Sequence, residues 1–210
     1  MLTLLKNNMP IVLASGSLRR RDFLNNLGLK FKAIAPRTEV LPNINEEATS
    51  YSIRCCTEKA NYVSEDIQRS NLSNKEELLQ AAIISADTLI HYNGEIIGKP
   101  TSAEDNYNIL CKLAGNTHEV ISSFAILLPN KQLITNCDIT KVTFWDCPKE
   151  LLRAYANSSE GMDKAGGYAI QLGGAFLSSK IEGSITTVIA MPLSKLVKSL
   201  LKHNIVKTVV

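Results

Sequence analysis

The stretch Pro10-Ile-Val-Leu-Ala-Ser-Gly-Ser-Leu-Arg-Arg-Arg21 limits what the chain can fold into more than any other. Its apolar run Ile11–Ala14 reads as a strand and Ser15-Gly16-Ser17 as a small-residue loop. Leu18–Leu27 reads as a helix stopped by Gly28 at the usual position past a helix C-terminus. Arginines 19 to 21 open that helix, where each cation faces the positive end of the dipole at a cost of roughly 0.3–1 kcal/mol. An anion held between the loop amides and the guanidinium groups reverses that sign, because free N–H groups at a helix N-terminus favour phosphate. A solvated basic surface accounts for the arginines just as well when the stretch is taken alone. The loop is no Walker A sequence, since it lacks Gly-x-x-x-x-Gly-Lys-Ser/Thr.

The elements that follow alternate. Phe31–Ala35 reads as a second short strand. From Glu46 to Ile67, side chains at Ile53, Cys56, Ala60, Val63 and Ile67 recur at a helical spacing of three and four. Gln68–Lys75 is polar and aperiodic, an expected exposed and mobile loop. Ala82–Ala86 is a buried-strand pattern, and Asn93-Gly94 between two apolar runs is a strong two-residue hairpin signal. Thr101 or Ser102 with Asp105 predicts an N-cap for a helix ending at Gly115. Thr117–Leu128 and Gln132–Trp145 read as strands, and Pro148–Asn157 and Pro192–His203 as helices, with Pro192 suited to a first turn. The fold class expected is α/β, a mixed central sheet flanked by helices.

No repeat, low-complexity segment or domain boundary divides the 210 residues, so residues 1–210 are expected to form a single domain. A net charge of +3 does not indicate a nucleic-acid partner. No run approaches the length of about 18 apolar residues that a membrane helix needs, and the N-terminus lacks a signal-peptide layout. Cys55, Cys56, Cys111, Cys137 and Cys147 form no Cys-x-x-Cys pair, and their odd number and scatter fit reduced thiols. A cytoplasmic location is the expectation.

Charged side chains fall beside several strand or loop ends. Glu39 follows the second strand, Lys59 lies on the long helix, Asp87 comes immediately after an apolar strand, and Lys99 follows the hairpin. Each alone reads as a turn former, an N-cap or a solvated charge. Together they meet the needs of a nucleoside triphosphate. Arg19, Arg20, Lys59 and Lys99 could offset its roughly four negative charges, with forked bonds from Arg and point charges from Lys. Glu39 and Asp87 could hold Mg²⁺ or Mn²⁺ through oxygen ligands, and a carboxylate near the attacking water could also deprotonate it. His91, His118 and His203 share no zinc-type spacing, and no nucleophile elbow points to covalent catalysis.

Leu13-Ala-Ser-Gly-Ser-Leu-Arg-Arg20, Ala86-Asp-Thr88, Gly98-Lys-Pro100 and Asp163-Lys-Ala-Gly-Gly-Tyr-Ala-Ile-Gln171 resemble the motifs of the Maf family of nucleotide pyrophosphatases. The resemblance runs in order through Leu113–Val120 and Ile181-Glu-Gly183 to Met191-Pro-Leu193. It implies a fold similar to the inosine triphosphate pyrophosphatases, with an active-site cleft between two lobes. It also implies metal-assisted hydrolysis of a nucleoside triphosphate to a monophosphate and pyrophosphate. Asp87 would then be the general base and, with Glu39, a metal ligand, with Lys59 and Lys99 also catalytic. Ser15, Arg19, Arg20, Thr88 and Gln171 would bind substrate. One family branch favours dTTP and UTP and carries Arg, Thr and Gln at three discriminating places, where the 7-methyl-GTP branch carries Trp, Gln and Glu. Here those places read Arg19, Thr88 and Gln171. A homodimer is expected from the resemblance alone.

The amide of Gln171 offers a donor and an acceptor, which suits a pyrimidine edge, although Tyr168–Gln171 also reads as a strand or turn with a polar end. Gly166-Gly167 is expected to shape the loop presenting it. The chain departs from the family pattern at Leu18, in place of a usual Pro, at Ala190, in place of Gly, and in the Gln68–Lys75 stretch. Two other readings stay open: a house-cleaning pyrophosphatase for modified purine nucleotides, and a nucleotide-binding regulator of cell division.

Overall fold

A computed structural model describes residues 3–37 and 40–209. Along the chain run β1 (Leu5–Asn7), β2 (Ile11–Leu13), α1 (Leu18–Asn26), β3 (Lys32–Ala33), α2 (Ala48–Arg69), α3 (Lys75–Leu79), β4 (Ala82–Tyr92) and β5 (Glu95–Ile97). Then follow α4 (Ala103–Leu113), β6 (Thr117–Leu127), β7 (Leu133–Phe144), α5 (Lys149–Asn157), β8 (Ser178–Glu182), α6 (Ile185–Ile189), α7 (Leu193–Lys202) and β9 (Val206–Thr208). This is the mixed α/β architecture that the sequence predicts. The strands of the main sheet pair in the order β3-β2-β4-β6-β7-β8, with β5 on β4. Residues 1–87, 123–137 and 190–210 form one compact unit, and residues 88–122 and 138–189 another.

In the first unit β2 is parallel to both β3 and β4, with Val12 opposite Lys32 and Ile83. Successive strand side chains point to opposite faces, and here both faces are covered. Ile11, Leu13, Ala82, Ile84, Phe124 and Ile126 pack with Leu24 of α1 and with Leu196 and Leu200 of α7. Their neighbours Val12, Ala14, Ile83, Ala125 and Leu127 pack with Cys56, Ala60, Val63 and Ile67 of α2. Burial on both faces explains why Ile11–Ala14 is continuously apolar and why Ala82–Ala86 is apolar but for the buried Ser85, rather than alternating.

The second unit contains the predicted hairpin. Tyr92 pairs with Glu95 across Asn93 (φ 51°) and Gly94 (φ 80°), the positive pair that a tight β-turn between twisted strands requires. Ser102 caps α4 by accepting the Asp105 N–H at 3.0 Å, and the Asp105 carboxylate accepts the Thr101 N–H at 2.8 Å. Its core gathers Ile90, Leu110, Leu113, Val142, Phe144, Leu152, Tyr155, Tyr168 and Leu177. Phe144, His118 and Tyr168 meet edge to face, with ring centroids 4.8–5.6 Å apart.

Some expectations need correction. Asp87 does not follow its strand but is the sixth residue of β4, which continues to Tyr92. The stretch from Gln68 is not a loop throughout: α2 continues to Arg69, and a short helix begins at Lys75, anchored by buried Leu78. The strand expected at Phe31–Ala35 spans only Lys32–Ala33. Pro192 stands at the N-cap of α7 rather than inside its first turn. The antiparallel pair β1–β9, with buried Leu5 and Val206, was invisible in the sequence, since it joins segments about two hundred residues apart. All five cysteines are free, and Cys55, Cys56 and Cys147 are buried. No helix among the described residues is long and apolar enough to cross a membrane.

Phe144 is fully buried between two rings, so Phe144→Ala should lower unfolding free energy by about 3–5 kcal/mol. Urea denaturation followed by circular dichroism measures this, and a loss below about 1 kcal/mol would show that the site collapses around the missing ring.

Candidate active site

The site in the first unit starts at the end of β2. Ser15 is buried, and its Oγ accepts the Ser17 N–H at 3.1 Å and an Arg20 Nη1–H at 3.3 Å. Arg20 also donates Nε–H to the Ala190 carbonyl at 3.2 Å. Its guanidinium is thereby fixed on the first turn of α1. That turn has no acidic residue of its own and no side-chain cap from Ser17, so its sequence sets cations against the positive end of the helix dipole. Burial pulls the Arg20 guanidinium below its ordinary value, the Asp87 carboxylate pulls it back up, and the Arg19 charge lowers it. Asp87 and Arg19 therefore both act electrostatically on Arg20 within this unit.

Asp87 meets Lys59 Nζ at 2.5 Å, with side chains only 16% and 21% exposed respectively. Two periodicities bring them together. Ser85 and Asp87 are two apart on β4 and share a face, while Cys56 and Lys59 are a helical turn apart on α2. Ser85 Oγ–H donates to the Cys56 carbonyl, and Lys59 then reaches Asp87 one step along. Burial, with the Asp87 charge next, pushes the adjacent thiols up, Cys55 to about 11 and Cys56 to about 12, which disfavours their thiolate forms.

Glu39 lies outside the described residues. Val40, which follows it, gives its carbonyl to Tyr51 Oη–H at 2.7 Å. Arg54 binds the Leu41 carbonyl at 2.8 Å and the Glu46 carboxylate at 2.6 Å, so α2 carries both Lys59 and the braces of this loop. Tyr51 and Arg54 escaped the sequence reading because a Tyr and an Arg on an amphipathic helix look like surface residues.

In the second unit, Thr88 shares a hydrogen bond of 2.8 Å with buried Ser122 through their hydroxyls. Lys99 is exposed in the loop after β5, and the Gly98 carbonyl before it accepts the Gly166 N–H at 2.9 Å. Gln171 is exposed in a turn rather than on a strand. The turn follows Tyr168, whose hydroxyl contacts His118 Nε2 at 2.8 Å. The structure thus gathers Ser15, Arg19, Arg20, Lys59 and Asp87 in one unit, and Thr88, Lys99 and Gln171 belong to the other.

The described residues contain no cluster of three or more metal-type side chains. Asp87 is the only predicted metal ligand among them. A single carboxylate of this kind fits a hard ion that arrives with phosphate oxygens and keeps several waters, rather than one caged by protein alone.

The family model described as "Maf-like protein" matches residues 10–203. This chain belongs to the Maf family. Three curated relatives carry the name dTTP/UTP pyrophosphatase. That of Nitratidesulfovibrio vulgaris is 41% identical, covering 93% of this chain and 88% of the relative. That of Lawsonia intracellularis is 38% identical, covering 96% and 87%. That of Aquifex aeolicus is 37% identical, covering 94% and 97%. Among solved structures, the Staphylococcus aureus Ham1 protein matches at 15% identity and a TM-score of 0.48, over 92% of this chain and 98% of that one.

His118 beside Tyr168 gives this Maf protein a measurable pH dependence. Burial lowers the imidazole from its usual 6.5 to about 4, so the folded state holds it neutral while the unfolded chain takes up a proton below pH 6.5. Stability should be full above that value and fall by about 3 kcal/mol as pH drops toward 4. His118→Phe should flatten this contribution. Urea unfolding at pH 7 and pH 4.5 checks it, and equal slopes in the two proteins would contradict it.

Proposed function

We propose that this Maf protein is a single-domain nucleoside triphosphate pyrophosphatase that converts dTTP and UTP, including modified pyrimidine forms, to the monophosphate and pyrophosphate. The observation that carries the reading is the Lys59–Asp87 contact at 2.5 Å in the unit that also holds the Ser15–Arg20 loop. Family membership and the relatives' names support the substrate class. Asp87 accepts a proton from water as the water oxygen bonds the α-phosphorus. The bond from that phosphorus to the bridging oxygen breaks, and pyrophosphate leaves. Lys59, in contact with the Asp87 carboxylate, holds it in place for this task. Arg19, Arg20, Ser15 and Lys99 bind the triphosphate and take up the charge that develops on the leaving group. A divalent ion, Mg²⁺ or Mn²⁺, held by Asp87, Glu39 and phosphate oxygens, would supply further charge neutralisation when bound.

Base selection falls to Arg19, Thr88 and Gln171, the residues that match the dTTP/UTP branch. Uracil and thymine offer a carbonyl acceptor beside an N–H donor, and the Gln171 amide can answer both. Cytosine inverts that pattern, so an amide held in one orientation discriminates between the two bases.

Two experiments test the reading. Pyrophosphate release from dTTP, UTP, CTP, ATP, GTP, ITP and 7-methyl-GTP, with Mg²⁺ or Mn²⁺ and with chelator, should be metal-dependent and led by dTTP and UTP. A lead by ITP or 7-methyl-GTP would overturn the substrate class, and nucleotide binding without release from any of them would favour a regulator. Asp87→Asn should cut kcat by about 10²–10⁴-fold with little change in melting temperature. Near-normal turnover in that variant would remove Asp87 from the chemistry.

A further inference from the structure

The turn that carries Gln171 is tied at both ends to one pair of side chains. Tyr155, buried on α5, accepts the Ala169 N–H on its hydroxyl oxygen at 3.0 Å and donates its own proton to Glu160 Oε1 at 2.8 Å. Glu160 then accepts the Gly174 N–H on Oε1 at 2.9 Å and the Gly173 N–H on Oε2 at 3.2 Å. Residues 169 and 173–174 bracket Gln171, and the turn closes on itself through Leu172 N–H to the Ala169 carbonyl at 3.1 Å. Gly174 leaves no room for a side chain: a Cβ there would stand 2.6 Å from the Tyr155 hydroxyl and 2.8 Å from the Ala169 nitrogen.

We propose that Glu160, acting through Tyr155 and the Gly173 and Gly174 amides, is a positioning residue that sets the base selectivity of Gln171. The proposal rests on Gln171 reading the base, as argued above. Glu160 itself is only half-buried. A carboxylate suits the place because all three of its partners are donors. Burial pushes the Glu160 carboxyl up, yet the hydrogen bonds from Tyr155, Gly174 and Gly173 outweigh it and hold it below the usual carboxylate range. It therefore stays ionised and acceptor-only at neutral pH. A Gln at this position would turn an amide NH₂ toward at least one of these donors, leaving that N–H or O–H without an acceptor. The turn would then drift, and small displacements of a positioned group carry large kinetic effects.

The test compares kcat/KM for UTP and CTP, which differ at the base edge, in the full chain and in variants. Glu160→Gln should lower the UTP preference about tenfold or more, mainly through KM for UTP with kcat little changed. Tyr155→Phe removes the hydroxyl while keeping the ring against Phe176, and it should do the same if Glu160→Gln folds poorly. The double variant Glu160→Gln/Gln171→Ala should be no less selective than Gln171→Ala alone, because both act through one contact. A merely structural role for Glu160 would instead lower kcat for both nucleotides equally and add to the Gln171 effect. Unchanged preference in Glu160→Gln and Tyr155→Phe, with Gln171→Ala relaxed, would overturn the proposal and leave the substrate reading intact. Unchanged preference in Gln171→Ala would show that the base-reading role itself had failed.

Discussion

The contact between Lys59 and Asp87 is the interaction on which the chemistry proposed for this protein depends. A carboxylate in the middle of a strand with buried Ala82–Ala86 before it and buried Leu89 and Ile90 after it is costly to bury alone, and the ammonium from α2 offsets that cost. The pair exists because α2 lies against β4 with Cys56, Ala60, Val63 and Ile67 packed on Val12, Ile83 and Ala125. The Ser85–Cys56 hydrogen bond fixes the register between helix and strand. Lys59 and Asp87 are then placed by the periods of the two elements. A shift of β4 by one residue would turn Asp87 to the other face of the sheet.

The same economy governs the groups around it. Ser15 is used twice, once to hold the loop through the Ser17 amide and once to hold the Arg20 guanidinium. The cations of α1 face the positive end of their own helix, an arrangement that an incoming polyanion relieves. In the second unit the exposed Gln171 owes its place to bonds made by residues on either side of it. Loops that bind ligands are commonly mobile, and here two side chains, Tyr155 and Glu160, tie the turn to α5 and the turn beyond it.

Much of this was legible in the sequence where the signal is local. The Ile11 run, the spacing along α2, the Asn93-Gly94 hairpin and the Ser102 cap each carry their geometry in a few adjacent residues. Asp87 stood out as a candidate but was misplaced within its element, because a charge after an apolar run resembles a strand end and only the continuation of pairing to Tyr92 shows otherwise. The β1–β9 pair is set by contacts between the two ends of the chain, which no local pattern encodes. Tyr155 and Glu160 were missed for another reason. Three of their partners are the backbone amides of Ala169, Gly173 and Gly174, which no side-chain pattern in the sequence marks. The closeness of Gly174 to the Tyr155 hydroxyl is a three-dimensional fact that glycine in a Gly-rich stretch does not announce.

The central claim is that Asp87 directs water to the α-phosphorus of a pyrimidine nucleoside triphosphate. Hydrolysis of UTP in water enriched in heavy oxygen, followed by mass spectrometry of both products, tests it most directly. The account predicts the label in UMP and none in pyrophosphate. Label in pyrophosphate would place the attack at the β-phosphorus and contradict the proposed geometry of the Asp87 and arginine-loop groups.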